Sequence, residues 1–364
     1  MLLNPEDYLP RLSPEVDAAK YGIGLIGCGG IANQAHLPAY RKMGLSVVAC
    51  CDVNAEAARR TAEKFGIPFW TTDVGELLAR EDVRIVDMAL HPPARLPVLR
   101  QIAQAPRPVL CQKPLALTLA EARELGGAAA SAGIRLGVNQ QARWAPAHRA
   151  MQLLLERETI GEVYGIQHLM RSFQDQADMW WVNVPNFNIA DHGVHYLDLC
   201  RFFARTARPE AEWTRLHCTT AQLPDQNAVD PLVYSANVEF GPVGGRSPLM
   251  ASLQFNNIVR ASRGHSYTWW IDGAKGSMWG NHKELYVTLA SSPSVVHDIQ
   301  LKGSWFPDGF AGSMCDFIAA VDRGEEPPVT PEDNYRTVAM TTAMVLSSRE
   351  GRVVGRAELM GEAG

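Results

Sequence analysis

The stretch GLIGCGGIANQAHLPAY, residues Gly24–Tyr40, decides the fold predicted for this chain. It begins in an apolar run, passes through closely spaced glycines and ends in a helical pattern. Gly27, Gly29 and Ala32 match the spacing G-x-G-x-x-A. The first glycine of that pattern permits a tight turn, the second lets the backbone approach a pyrophosphate, and the small third residue lets the helix pack on the strand. The stretch therefore predicts a strand, a phosphate-binding loop and a helix.

Apolar runs and helical stretches alternate around this loop, from Tyr21 to about Val138. The apolar runs are YGIGLIG, SVVACCD, RIVDMAL, RPVLCQ and IRLGV, and the helical stretches between them include NAEAARRTAEKFG and TLAEARELGGAAASAG. A nearly continuous apolar run is typical of a parallel strand that is covered on both faces. The alternation predicts a doubly wound parallel sheet of the Rossmann type.

The pattern changes after about Ala145, where longer runs mix polar and apolar residues. These runs are GEVYGIQHLMRSF, DPLVYSANVEF, PLMASLQFNNI and SYTWWIDG. Partial alternation predicts an α+β domain with a large, mostly antiparallel open sheet. Helices are predicted over DHGVHYLDLCRFFA, near Ala311–Val321 and over Pro331–Ser348. The predicted organisation is an N-terminal arm (1–20), a dinucleotide-binding domain (21–144) and a substrate-binding and oligomerisation domain (145–364), whose last helices could pack back on the first domain.

Composition limits the classes of function. The 364 residues are 46% hydrophobic and 20% charged, with a net charge of −5, which gives no electrostatic case for binding nucleic acid or an anionic membrane. No apolar segment is long enough to span a bilayer. The N-terminus is acidic and interrupted by proline, which is atypical of a signal peptide and fits an arm on the surface or on a neighbouring subunit. Seven scattered cysteines without a CxxC pair predict reduced thiols and a cytoplasmic protein.

Asp52 strengthens the prediction of a dinucleotide site. It ends the second apolar run, 20 residues after Ala32, where a carboxylate can accept hydrogen bonds from both ribose hydroxyls. The alternative is an incidental loop acid. Because no basic residue follows Asp52 directly, NAD is favoured over NADP, although Arg59 or Arg60 could approach from the next helix. The predicted cofactor-binding residues are Gly27, Gly29, Gly30, Ile31, Ala32, Asp52, His91, Pro92, Gln112 and Lys113.

Two further motifs carry candidate catalytic groups. Lys113, in VLCQKPLAL, follows the fifth predicted strand, at the sheet edge that faces ligands in open α/β sheets. A lysine there can stabilise an alkoxide; otherwise it is a solvated loop residue. Asp191 and His195 stand four residues apart and share a helix face, which suits a general base with its orienting carboxylate. An N-capping aspartate and a structural histidine are the alternatives. Asp191, His192 and His195 are all metal-ligand types, but no further cluster supports a metal site, so no metal is predicted.

Taken in order, these motifs resemble the Gfo/Idh/MocA family of glucose–fructose oxidoreductases and inositol dehydrogenases. The resemblance covers about Tyr21 to Val354 and includes CQKPLA, NQQARWAP, DHGVHYLDL, IDGAKGSM and the closing FIAAVDRGEEPPVTPEDNYRTVAMTTAMVLSSREGRVV. It implies an N-terminal Rossmann domain and a C-terminal sheet that commonly forms the oligomer interface. It also implies that His195 takes a hydroxyl proton, Asp191 assists it, Lys113 stabilises the oxygen, and the nicotinamide accepts hydride.

The chain departs from the family pattern at two places. Gln112 replaces the usual glutamate before the lysine, which removes a nearby carboxylate. The lead into the Asp/His helix is NFNIA, which is bulkier than the usual glycine-rich sequence and should reshape the pocket.

The aromatic pairs Trp180–Trp181 and Trp269–Trp270 favour a sugar or polyol substrate, because flat rings pack on the C–H face of a sugar. Asn183, Asn186 or Asn188 could read hydroxyls. The alternative is that these tryptophans fill the core or a subunit interface. The predicted substrate-binding residues are Lys113, Asn139, Arg143, Trp144, Arg171, Trp180, Trp181, Asp191, His192 and His195.

The leading hypothesis is an NAD-dependent dehydrogenase that oxidises a secondary hydroxyl of a sugar, sugar derivative or inositol. A redox-neutral enzyme that recycles bound NAD during glycoside cleavage or epimerisation is the first alternative. A non-enzymatic dinucleotide sensor is less favoured, because all three candidate catalytic residues are present. The open sheet predicts a homodimer or homotetramer.

Overall fold

The computed structural model describes residues 2–241 and 247–361, which divide into two compact units. One unit, here called the nucleotide unit, comprises Leu9–Ala145 and Gly303–Arg336. The other, here called the sheet unit, comprises Met1–Tyr8, Pro146–Lys302 and Thr337–Gly364. Each unit is built from segments that are far apart in sequence.

The elements within the described residues are as follows. The helices are α1 (Pro5–Tyr8), α2 (Leu37–Lys42), α3 (Ala55–Phe65), α4 (Val74–Leu78), α5 (Pro92–Ile102), α6 (Leu119–Ser131), α7 (Pro146–Glu156), α8 (Val194–Ala207), α9 (Trp305–Arg323), α10 (Pro331–Glu350) and α11 (Arg356–Met360). The strands are β1 (Ile23–Ile26), β2 (Val47–Cys51), β3 (Trp70–Thr71), β4 (Ile85–Met88), β5 (Val109–Gln112), β6 (Leu136–Asn139), β7 (Val163–Arg171), β8 (Trp213–Ala221), β9 (Val233–Phe240), β10 (Leu249–Asn256), β11 (Ser266–Gly273), β12 (Gly276–Gly280), β13 (Leu285–Leu289), β14 (Val296–Ile299) and β15 (Val354–Gly355).

The nucleotide unit is a parallel six-stranded sheet in the order β3-β2-β1-β4-β5-β6. Strands β1, β4, β5 and β6 are buried along their whole length, as their apolar runs predict. Helix α9 shares a hydrophobic core with β1 and α2 through Phe310, Phe317 and Ile318. A Cβ on Gly137 of β6 would lie 2.8 Å from the Phe317 ring, so glycine there lets α9 pack closely on the strand. The strand order reverses direction between β1 and β4. Ligands are therefore expected at the carboxyl ends of these strands, here called the carboxyl edge of the sheet.

The sheet unit contains nine described strands in the order β14-β13-β12-β11-β7-β10-β9-β8-β15. The pairing is antiparallel except between β7 and β10, which run parallel. Along β7, Ile166, His168 and Met170 are buried, and α8 packs on that face through Tyr196, which stacks on His168 at 4.5 Å. The fold class predicted from the sequence is confirmed: a Rossmann sheet and a mixed, mostly antiparallel sheet.

The opposite face of this sheet carries aromatic side chains. Trp270 pairs in register with Trp279, and Trp279 stacks on Tyr286 with ring centroids 5.7 Å apart. Trp269 points to the other face, is 1% exposed and contacts His168. Because successive strand residues face opposite ways, the two neighbouring tryptophans belong to different surfaces.

The helices and the cysteines bear on two further predictions from the sequence, the absence of a membrane span and the presence of reduced thiols. Within the described residues, no helix has the length and apolar character needed to cross a membrane. All seven cysteines are buried thiols.

His168 makes the stability of the sheet unit depend on pH. Burial, and then the neighbouring His148, hold the pKa of His168 well below its ordinary value of 6.5. The unfolded chain therefore binds more protons than the folded chain below about pH 6.5, and stability rises with pH through that window. The contribution reaches about 1.4 kcal/mol per pH unit for one proton.

We expect the unfolding midpoint of His168→Phe to change less between pH 5 and pH 7 than that of the wild type, measured by thermal melting. His217→Gln, a change on the opposite face of the sheet, should keep the wild-type difference. An unchanged pH dependence in His168→Phe would contradict the assignment.

Candidate functional site

The glycine loop follows β1 and has the geometry that the sequence predicts. Gly27 adopts φ +100°, and a Cβ at this position would lie 2.6 Å from the Ala89 carbonyl oxygen, so only glycine fits. At Gly29 a Cβ would meet no heavy atom within 4 Å, which leaves room above the loop. A π-helical turn, Ala32–His36, follows and continues into α2. Single π turns are rare and often occur at functional sites.

Polar side chains hold this loop in place. The Asp52 carboxylate accepts hydrogen bonds from the Cys28 N–H at 2.8 Å and from the Asn54 N–H at 2.8 Å. The Asn33 amide donates to the carbonyls of Cys28 and Gly29 at 2.9 and 3.1 Å. Asp52 therefore lies directly against the glycine loop, at the carboxyl end of β2.

Lys113 follows β5 at the same carboxyl edge of the sheet, and the residue is only 9% exposed. Its backbone is held by Arg95, which is 1% exposed. The Arg95 guanidinium donates to the carbonyls of Leu90 (2.8 and 3.1 Å), Lys113 (3.2 Å) and Leu115 (3.2 Å). One buried guanidinium thus ties the end of β4 to the segment that carries Lys113.

Three side-chain amides lie at the ends of β5 and β6. Gln112 and Asn139 are paired residues on these strands, and Gln140 follows. The Gln112 Oε1 atom and both polar atoms of Asn139 and Gln140 are buried without a hydrogen-bond partner among the described residues. Buried polar groups in native proteins are normally satisfied by protein, water or ligand. Together with the space above Gly29, these amides fit a bound dinucleotide.

Other predicted residues of this unit have mainly structural contacts. His91 precedes α5 and Pro92 is its first residue, which places the N-terminus of this helix after β4. Arg143 is buried and donates to Asp333 at 2.7 Å. The Trp144 indole donates to Asp316 at 2.6 Å and contacts α9.

In the sheet unit, a second π-helical turn, Asn188–Gly193, leads into α8. Asp191 and His192 lie in this turn, and His195 lies in the first turn of α8 and is 9% exposed. The bulky NFNIA lead is therefore accommodated by a widened turn rather than by glycines. A π turn therefore precedes a helix in both units: α2 in the nucleotide unit, and α8, which carries His195, in the sheet unit.

A cavity of about 350 Å³ lies beside this turn. It is lined by Phe173, Gln174, Gln176, Met179, Trp180, Trp181, Phe187, Asn188, Asp191 and His192. Trp181 is 7% exposed and stacks on Phe187 at 5.6 Å within a small hydrophobic cluster, whereas Trp180 is 55% exposed. The structure thus brings Trp180, Trp181, Asp191 and His192 to one cavity. Arg171 is not among its lining residues; it donates to the Gly264 carbonyl at 2.9 Å from the open face of the sheet.

Sequence reasoning missed Gln174, which lines the cavity and is hydrogen-bonded to His192 at 2.9 Å. It also missed Asp175, whose carboxylate accepts hydrogen bonds from the N–H groups of Asn227 and Ala228. These bonds connect the segment after β7 to the segment before β9. Neither residue stands in a motif, and both act through contacts with distant segments.

The parallel sheet, the glycine loop and the acid after β2 define an NAD-binding oxidoreductase. Within that class the chain belongs to the Gfo/Idh/MocA family. Residues 21–140 match the oxidoreductase family model of the NAD-binding Rossmann fold, and residues 153–355 match the family's C-terminal alpha/beta domain. The chain is thus an NAD-dependent oxidoreductase, and relatives of known activity include sugar and inositol dehydrogenases.

Known proteins resemble the chain over most of its length. A D-apiose dehydrogenase from Paraburkholderia graminis is 29% identical over 351 residues, which cover 93% of this chain and 90% of that protein. A 1,5-anhydro-D-fructose reductase from Ensifer adhaerens is 27% identical, covering 90% and 96%. A crystal structure of an oxidoreductase from Agrobacterium radiobacter, in complex with NAD+, L-tartaric acid and magnesium, has a TM-score of 0.80 at 22% identity and covers 93% and 99%.

Replacing Asp52 should weaken NAD binding. In Asp52→Ala the carboxylate is lost both as the predicted ribose acceptor and as the partner of the Cys28 N–H. Because hydrogen bonds to charged groups contribute about 1.5–3 kcal/mol, we expect the Kd for NAD to rise by about tenfold or more, measured by isothermal titration calorimetry. Glu56→Gln, an exposed change on α3, is the control, and an unchanged Kd in Asp52→Ala would refute the assignment.

Replacing Arg95 should destabilise the nucleotide unit. Lysine cannot reproduce the forked guanidinium, so Arg95→Lys leaves buried carbonyls unsatisfied at about 1–3 kcal/mol each. We expect the melting temperature to fall by several degrees in differential scanning fluorimetry. Arg100→Lys is the matched control, because Arg100 lies on the same helix in an exposed ion pair with Glu124. Equal melting temperatures for both variants would argue against the contacts described.

Proposed function

We propose that the protein is an NAD-dependent dehydrogenase that oxidises a secondary hydroxyl of a sugar, a sugar derivative or an inositol. The observation that carries the proposal is the position of Lys113. This lysine is 9% exposed and lies at the carboxyl edge of the parallel sheet, in the unit that contains the glycine loop. A lysine at this position can stabilise negative charge on a substrate oxygen. The names of the relatives, which act on apiose and anhydrofructose, support the substrate class.

The proposed roles follow the chemistry of each side chain. An imidazole nitrogen of His195 takes the proton of the substrate hydroxyl, and the Asp191 carboxylate orients the ring. The ammonium group of Lys113 stabilises the negative charge that develops on that oxygen. Bound NAD supplies a hydride acceptor for the carbon. The CH–OH group thereby loses the proton of its oxygen and the hydride of its carbon, and becomes a ketone.

The aromatic cavity of the sheet unit supports a ring substrate. Trp180 and Phe173 offer flat apolar surfaces, and polar groups stand beside them.

The open sheet face, with Trp270, Trp279 and Tyr286, supports the proposal of a homodimer or homotetramer, because an aromatic face of this kind favours burial.

The first experiment is a screen for NADH formation. The purified chain is mixed with NAD, and separately with NADP, against inositols, D-apiose and other aldoses, 1,5-anhydro sugars and aryl glycosides. Reduction of NAD with one class establishes the dehydrogenase. Exchange of a sugar C–H with solvent deuterium without net NADH would instead establish the recycled-cofactor alternative. Absence of both, with NAD bound, would overturn the proposed function.

Variants test the proposed residues on whichever substrate responds. Lys113→Met and His195→Asn should each lower kcat by about a hundredfold or more, as expected for loss of an acid–base or charge-stabilising group. NAD affinity should remain close to wild type in His195→Asn. Lys64→Met, an exposed lysine on α3, is the control, and near-wild-type turnover in either catalytic variant would exclude that residue.

A further inference from the structure

Five side chains of the sheet unit form a continuous row of hydrogen bonds, here called the amide chain. The Ser172 hydroxyl donates to Asn257 Oδ1 at 2.9 Å, and Asn257 Nδ2 donates to Asn188 Oδ1 at 2.8 Å. Asn188 Nδ2 donates to Gln174 Oε1 at 2.9 Å, and Gln174 Nε2 lies 2.9 Å from His192 Nε2. The chain runs from a buried serine to the π turn that carries Asp191.

The hydrogen bonds of the amide chain all run in one direction, and this direction determines the tautomer of His192. Each amide oxygen accepts from the preceding residue, so each amide nitrogen must donate to the next. The last donor is Gln174 Nε2, and His192 Nε2 must therefore accept. An imidazole that accepts at Nε2 is neutral and carries its proton on Nδ1. Reversing this arrangement would require all three amides to turn over together.

The chain also decides what Gln174 and Asn188 present to the cavity. Their side-chain oxygens are already used as acceptors within the chain. Each amide nitrogen has two hydrogens, and the chain uses one of them. Because both residues line the 350 Å³ cavity, they can offer N–H donors to a ligand. Asp191 in the same cavity offers a carboxylate that accepts.

The complementary ligand is a compact ring with oxygens on neighbouring carbons. Two oxygens would accept from Gln174 and Asn188, a hydroxyl would donate to Asp191, and an apolar C–H face would pack on Trp180. The volume suits a small ligand, since small-molecule sites span about 300–1,000 Å³.

We propose that Gln174 and Asn188 determine specificity by reading two neighbouring hydroxyl oxygens of the substrate, and that Ser172 and Asn257 position them through the amide chain. This inference rests on the proposed function. It predicts that the substrate is a vicinal polyol and that the enzyme rejects compounds that lack either oxygen. Rejection is expected because a buried donor left without an acceptor weakens binding.

The kinetic test pairs enzyme variants with substrate analogues. For the substrate found in the screen and its monodeoxy analogues, kcat/KM is measured for the wild type and for Gln174→Leu with NAD present. We expect Gln174→Leu to lose about three- to tenfold on the full substrate, mainly in KM, and to lose nothing further on one monodeoxy analogue. Gln300→Leu, an exposed residue outside the cavity, is the control. Equal losses on every analogue, or no loss at all, would overturn the reading role.

A spectroscopic test does not depend on turnover. In ¹⁵N NMR of the full chain, the His192 ring should show the neutral form protonated at Nδ1, and Gln174→Leu should alter this tautomer signal. A wild-type His192 protonated at Nε2 would refute the amide chain.

The third measurement is ligand binding. It is monitored by intrinsic tryptophan fluorescence, to which Trp180 contributes, on titration with myo-inositol or D-apiose. Weaker binding in Gln174→Leu supports the inference even where no panel member reduces NAD. Unchanged binding, or no binding to the wild type, overturns it. Failure of the proposed function alone would appear as wild-type binding without NADH or deuterium exchange.

Discussion

The nucleotide unit depends on the close approach of the Gly27 backbone to the Ala89 carbonyl. A Cβ at Gly27 would stand 2.6 Å from that oxygen, and φ is +100°, so no other residue is accommodated without displacement. This contact holds the turn after β1 against the end of β4. It thereby brings the Cys28 N–H to the Asp52 carboxylate at the end of β2. Three strand ends are thus joined at the carboxyl end of the sheet, where the dinucleotide site is predicted.

The two units treat buried amides differently. In the nucleotide unit, Asn139 and Gln140 have buried polar atoms that the described residues do not satisfy. In the sheet unit, Asn188, Asn257 and Gln174 satisfy one another in sequence. Leaving buried polar atoms unsatisfied costs stability, and a bound polar ligand removes that cost. Satisfied amides hold fixed orientations without a ligand, which is the condition for selective recognition.

Local patterns predicted much of the nucleotide unit because its signals are contained in short segments. The turn at Gly27, the acid at Asp52 and the lysine at Lys113 each follow a strand, and parallel topology places all strand ends at one edge. The roles of Lys113, Asp191 and His195 stay predictions. Arg95 could not be recognised, because its function lies in carbonyls 5 to 20 residues away along the chain.

The sequence by itself determined the fold class, the cofactor and the family, since glycine geometry and strand periodicity act over a few residues. Only the tertiary structure decided which side chains meet. Gln174 contacts His192 across 18 residues, and Asn257 contacts Asn188 across 69. It also separated Trp269, buried in the core, from Trp270 on the open face. Such pairings depend on strand register and on how a loop folds back, and these are settled by the packing of the whole unit rather than by neighbouring residues.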